Sequence, residues 1–332
     1  MTAARVKLVV SVLVSLFALR LLLSGVDLPA LLLAWSRMTA PGLLLALALL
    51  AAGYALRVAR WWWMLLAFEP RLRWRDCATP FLASIALNNV LPLRAGDAVR
   101  AFAFRDALRL PPATLLGSVL LERLLDLAML LVLFFAGASL VRGGGLPPGL
   151  AATAQALAAA AVGALVLLPL AGPAVARRLA GPTSEGTGWK ARTGRIATDL
   201  LASFSLLRSP RRAALLLPMT ALIWLLEGAV FAAVAAELAP GTPAAAGWFA
   251  MTTGTLATLL PSTPGYVGTF DYFTMLGFSA FGLDRAAATA ISLSVHAILW
   301  APVTALGLVL LVLHGGRDAI RARARASEGA LT

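Results

Sequence analysis

The sequence predicts an all-α integral membrane protein with about six full transmembrane helices. Two broken, re-entrant helix pairs complete it as an inverted-topology repeat. Three observations predict this. Mean hydropathy is +0.87. Apolar residues make up 60% of the chain and charged residues only 13%, about half the charged share of a soluble domain. Apolar stretches of about 20 residues recur, the length that crosses a hydrocarbon layer roughly 30 Å thick. They are continuous and rich in Leu and Ala, without the alternation of a barrel strand. Finally, two apolar segments are interrupted by proline at corresponding places in the two halves, the pattern that marks transport sites in repeat-built membrane proteins.

The first span is expected at 6–24. Arg5 and Lys7 precede it and no clear small-residue cleavage site follows, so it reads as a retained helix rather than a removed signal. A second span runs over 41–64, opened by Pro41. Arg71, Arg73 and Arg75 follow it, and Trp61-Trp62-Trp63 stands where an interfacial aromatic belt is expected. Short segments at 77–91 and 97–108 flank the first break. Full spans follow at 113–140 and 150–170, a basic connection at 174–213, and a span at 214–237. A second short pair, 244–260 and 264–281, precedes the last span at 286–314 and a basic tail at 316–332.

Charge sets the orientation. Net charge is +13, from 28 basic and 15 acidic residues. In a chain this apolar the excess is explained by the positive-inside rule rather than by nucleic acid. With a cytoplasmic N-terminus, 23 of the 28 basic residues fall inside and four outside, with Arg123 inside a span. Both termini are therefore expected in the cytoplasm, at the inner (plasma) membrane. In that arrangement the first break enters from the cytoplasmic face and the second from the outer face, so the halves 41–140 and 214–314 run in opposite senses.

The breaks hold most of the candidate site. The first contains Asn88, Asn89, Pro92, Arg94, Gly96, Asp97 and Arg100. Proline stops the helix, glycine permits a sharp turn and close approach, and the restarted helix offers free amides to an anion. Arg94 and Arg100 add fixed charge suited to phosphate, and Asp97 and Arg100, three apart, can pair on one face. The second break contains Pro261, Pro264, Gly265, Gly268 and Asp271. Between the breaks, Glu122, Arg123 and Asp126 sit in the first half of the third span, where charge is costly and must face the interior. Arg123 has two readings: pairing with Asp126, or meeting Asp97 or a lipid phosphate. Glu227, mid-span, reads as an unpaired carboxylate and a possible proton-coupling site. His296 reads as a packed, hydrogen-bonded histidine, and His314 as interfacial.

A single cysteine, Cys77, excludes an internal disulfide or a cysteine metal cluster, and two histidines leave little for a transition metal. No metalloprotease, nucleophile-elbow or phosphate-loop motif is present, so neither an enzyme nor a cofactor is expected.

The combined pattern Asn89-x-Leu91-Pro92-x-Arg94-x-Gly96-Asp97-x-x-Arg100, then Glu122-Arg123-Leu124-x-Asp126, then Leu260-Pro261-x-x-Pro264-Gly265-x-x-Gly268 resembles the lysylphosphatidylglycerol synthase transmembrane-region family. Its members are also called flippase-like domain proteins. The resemblance covers roughly residues 5 to 315 and implies one flippase-like transmembrane domain over 1–315. Three departures stand out. The family usually has Glu where this chain has Asp97, a second Gly where it has Tyr266, and favours Glu near Asp271. Full-length lysyl-lipid synthases carry a soluble aminoacyl-transferase domain after the membrane part. This sequence ends at Thr332, so lipid aminoacylation is not expected of it. Stand-alone members are linked to polyprenyl-phosphate, glycolipid or hopanoid handling.

The resemblance implies movement of an anionic, polyprenyl-phosphate-linked or other amphiphilic lipid between leaflets. Arg94, Arg100 and Arg123 would engage the head group, and the second break would serve as a gate. Membrane lipids are the expected partners and nucleic acid is not. The alternative is a non-transporting subunit that scaffolds a separately encoded glycosyltransferase or acyltransferase.

Overall fold

Proline and short polar side chains start most of the long helices. Thr39 accepts a hydrogen bond from the Gly42 amide (3.1 Å) ahead of Pro41, and Pro112 and Pro210 each open a helix, positions where a missing amide costs nothing. A computed structural model describes residues 3–24, 27–91, 94–141, 148–180 and 189–329. It is 85% helical, with no strand among the described residues. The helices are α1 (Ala3–Leu23), α2 (Leu28–Trp35), α3 (Ala40–Leu65), α4 (Trp74–Val90), α5 (Ala95–Phe102), α6 (Arg105–Leu108), α7 (Pro112–Ala138), α8 (Pro148–Ala180), α9 (Trp189–Ala202), α10 (Pro210–Leu238), α11 (Ala244–Ala257), α12 (Thr269–Ser279) and α13 (Arg285–Gly329).

Among the described residues, four helices are long and apolar enough to cross a membrane: 40–65, 151–172, 210–238 and 285–314. The count becomes five if the bent pair 12–23 and 28–35, which turns by 88°, forms one span. The six expected from hydropathy alone are thus not all reached. The shortfall is α7, whose 27 residues suffice in length but carry Glu122, Arg123 and Asp126 together. The outer surface supports a multi-pass membrane protein directly. Leu44, Leu167, Leu170 and Val312 are more than 60% exposed, a density of exposed apolar side chains that water would not tolerate.

Packing crosses between the two halves. α3 lies along α10, α4 along α13, and α11 along both α7 and α10. The main core forms where these meet, around Leu50, Trp224, Phe231, Met251, Phe270, Phe278 and Val295.

The described part of the 174–213 connection is helical rather than a polar loop. It includes the end of α8, then α9 and a 3-10 turn at Ser203–Arg208. α9 packs on α7 and α8, Phe204 and Leu206 are buried, and Arg208 donates to the Pro169 and Leu170 carbonyls that end the apolar part of α8 (2.6 and 2.8 Å). Trp61 is likewise no belt residue: it is fully buried and donates to Ser118 (3.0 Å).

The α7–α9 contact depends on Gly117, where a Cβ would lie 2.0 Å from the Leu200 carbonyl oxygen. Gly117→Ala is expected to destabilise the protein by about 1–3 kcal/mol through overpacking. Gly163→Ala, which meets nothing within 4 Å, should leave stability unchanged or slightly raised. Thermal unfolding in detergent compares the two.

Candidate functional site

The first break is a helical hairpin closed on itself. α5 folds back on α4 so tightly that a Cβ at Gly96 would lie 2.0 Å from the Ser84 carbonyl oxygen. Asn88 then bonds Asp97 twice, donating to its carboxylate (2.9 Å) and accepting from its amide (3.2 Å). Ser84 donates to the same carboxylate oxygen (3.3 Å). Asn89 points the other way and donates to Thr304 on α13 (2.8 Å). Pro92 lies outside the described residues.

Asp97 joins this hairpin to α7. Arg123 donates to both of its oxygens (3.1 and 3.2 Å), and Arg100 lies 3.5 Å away. Of the two partners open to Arg123 in the sequence, the structure selects Asp97. Arg100 is fully buried, 3.4 Å from Glu122, with its guanidinium over the rings of Trp61 (4.9 Å) and Phe81 (4.7 Å). It sits within the protein and faces no opening.

The remaining carboxylates are held from α3. Asp126 receives Arg60 through both oxygens (2.7 and 3.2 Å) and also the Trp224 indole (3.1 Å), while Arg60 donates as well to Thr220 (2.9 Å). Glu227 is not unpaired: Arg57 forms an ion pair with it and stacks near Tyr54 and Trp224. Sequence spacing does not reveal this, because the partner lies 170 residues away on a neighbouring helix. A proton-coupling role resting on a lone Glu227 therefore loses its basis.

The second break is pinned differently. Asp271 caps α12 by accepting from the Gly268 amide (2.9 Å), and Gly265 and Gly268 both adopt positive φ (73° and 86°), the region glycine enters without a Cβ clash. His296 on α13 reaches both sides of the turn: Nδ1 is 2.7 Å from Asp271 Oδ1 and Nε2 is 2.9 Å from the Gly265 carbonyl. The expectation of a packed, hydrogen-bonded histidine holds. Ser15 on α1 receives the Thr263 amide (2.9 Å). Pro261 lies in the loop after α11, and Pro264 opens the 3-10 turn Pro264–Tyr266.

The two breaks touch. Arg94, itself left-handed (φ 53°), donates from Nε to the Tyr266 hydroxyl (3.1 Å) and from Nη2 to the Thr258 hydroxyl (3.2 Å). Its guanidinium carbon lies 5.8 Å from the Tyr266 ring centre. These acceptors are all neutral, and among the described residues no carboxylate pairs with Arg94. Sequence reasoning missed Thr258, and it noted Tyr266 only as a departure from the family pattern rather than as a partner of Arg94. The left-handed backbone of Tyr266 (φ 59°) is what a glycine would ordinarily supply there. Among the described residues no group of three or more His, Cys, Asp or Glu is placed to hold a metal ion.

Long apolar helices, two interrupted hairpins and a paired-charge interior define a multi-pass helical membrane protein with its breaks in contact. Residues 8–307 match the family model described as the lysylphosphatidylglycerol synthase TM region. The chain belongs to this family. No match is found among curated proteins or solved structures.

The Arg60–Asp126 pair offers a clean test of the paired interior. Asp126→Asn should cost about 3–5 kcal/mol by leaving Arg60 buried without its partner, whereas the double change Arg60→Met/Asp126→Leu should recover most of that loss. A thermal-unfolding double-mutant cycle in detergent measures it.

Proposed function

We propose that this chain handles an anionic or phosphate-bearing lipid and moves it between leaflets of the inner membrane, with no chemical step of its own. The observation that carries the reading is Arg94. The cations Arg57, Arg60, Arg100 and Arg123 each face a carboxylate, but Arg94 at the meeting point of the breaks has only neutral acceptors. A guanidinium so placed has unspent capacity for a phosphate. The Thr255 and Ser262 hydroxyls, on either side of Thr258, are buried without a hydrogen-bond partner and offer further donors. On this reading Arg94 is the head-group contact, while Arg100 and Arg123 hold Asp97 and the hairpin in place.

The inverted repeat belongs to the same proposal. Each half supplies a long helix, a broken pair and a long closing helix. α3 packs on α10, and the entering helix of each broken pair packs on the closing helix of the other half: α4 on α13, α11 on α7. That reciprocal exchange supports two halves related by a two-fold axis in the membrane plane, with cytoplasmic termini from the arginine count. α7, carrying its charges inward, is then the further span. Separation of the Arg94–Tyr266 contact would open the space between the breaks. A scaffold for a lipid-modifying enzyme is the second reading, favoured if a soluble enzyme co-purifies and the chain alone moves no lipid.

In proteoliposomes, fluorescent phosphatidylglycerol in the outer leaflet is bleached selectively with dithionite to follow its movement. Arg94→Gln should slow it about tenfold or more, the equivalent of one charged hydrogen bond, with a smaller effect on phosphatidylcholine. Unchanged phosphatidylglycerol movement would remove Arg94 from the head-group role.

A further inference from the structure

His296 faces two acceptors at once. The Gly265 carbonyl can only accept, and an ionised Asp271 can only accept, yet both ring nitrogens lie within hydrogen-bond distance of them. A neutral imidazole carries one N–H. For both contacts to be hydrogen bonds at once, an additional proton must lie between Nδ1 and Asp271, either as imidazolium with carboxylate or as neutral imidazole with carboxylic acid. Without that proton a ring lone pair faces a carboxylate or a carbonyl lone pair, and one of the two contacts must break.

Charge balance gives this proton a consequence. Arg57 with Glu227, Arg60 with Asp126, and Arg100 and Arg123 with Asp97 and Glu122 cancel. What remains at the two breaks is Arg94 and the Asp271–His296 pair. With the proton bound, the breaks carry one net positive charge. With it released, they carry none. Among the described residues no other charged side chain bonds to His296, Asp271 or Arg94; Glu237 and Arg211 and Arg212 lie at the two ends of α10, and Arg20 on α1, which packs on α12, is exposed. Elements packed on α13 contribute Tyr272 beside Asp271 on α12, Glu227 on α10 already held by Arg57 on α3, and no ionisable residue on α2. α4 brings Asn88 and Asn89 at its near end, with Arg75 and Asp76 at the other. The turn contributes Tyr266, whose neighbour Gly265 is the residue that His296 holds.

We infer that the His296–Asp271 pair is a proton-binding site coupled to the anion site at Arg94, so that a proton and an anionic head group bind together. The inference rests on the head-group reading of Arg94. Protonation does two things in the same direction. It leaves the Arg94 charge uncompensated and available to an anion, and it fixes the Gly265–Tyr266 turn against which Arg94 lies. By reciprocity of linkage, anion binding must then take up protons.

The test uses purified full-length protein in detergent with dioctanoyl-phosphatidylglycerol, whose phosphodiester keeps its charge throughout. Dioctanoyl-phosphatidylcholine is the neutral control. Binding is followed by tryptophan fluorescence. Wild type should bind the anionic probe about tenfold more tightly near pH 5.5 than near pH 8.5, the neutral probe should show no such trend, and His296→Gln should abolish it. In weakly buffered solution, adding the anionic probe to wild type should raise the pH of the medium, a readout that needs no variant. Tight anion binding that is independent of pH and takes up no proton would overturn the coupling and leave the head-group reading intact. No binding of the anionic probe at any pH would overturn both.

Discussion

A charge held away from water must be compensated, and the interior of this protein is organised by four arginines, Arg57, Arg60, Arg100 and Arg123, that each face a carboxylate. The Asp97 carboxylate shows it best. It holds α5 to α4 through Asn88 and Ser84, and the hairpin to α7 through Arg123. Arg60 and Asp126 tie α3 to α7, and Arg57 and Glu227 tie α3 to α10. Lipid gives helices little hydrophobic reason to associate, so these buried pairs fix which helices are neighbours. Breaking one pair strands a charge, which makes each of them a specifier of the fold.

Much of this was legible in the sequence because it depends on local pattern. The two interruptions were marked by proline and glycine, and Asp97 and Arg100 by their spacing of three. The choice of Asp97 over Asp126 for Arg123 was one of two stated options. What escaped was partner choice between helices. Glu227 looked lone because Arg57 lies on α3, and nothing in either helix names the other. Trp61 looked interfacial because aromatic runs often are, but Arg100 and Ser118 give its ring and its indole N–H buried partners. α9 read as loop because its composition is basic and polar, yet Gly117 allows it to lie directly on α7. Six spans were expected from hydropathy, and α7 is not among the candidate spans because Glu122, Arg123 and Asp126 stand together in it.

The second break depends on a different chemistry. Its glycines set the turn and its carboxylate caps a helix, but the clamp is an imidazole from α13. One break is thus held by permanent charge and the other by an imidazole shared between a carboxylate and a backbone carbonyl. Their contact, a guanidinium on a phenol and a threonine hydroxyl, has no ion pair to secure it. On the proposed function it is the contact that an anionic head group would displace.

The account stands on the two breaks meeting. In a Cys77→Ser background, which removes the single native cysteine, Arg94→Cys with Tyr266→Cys can be treated with a short bis-maleimide in membranes and scored for an intramolecular link. Asn89→Cys with Thr304→Cys, whose native side chains touch at 2.8 Å, serves as the control. Contact between the two breaks predicts a link in both pairs. A control pair that links while the 94–266 pair does not would contradict it, because the two interruptions would then belong to separate places in the membrane.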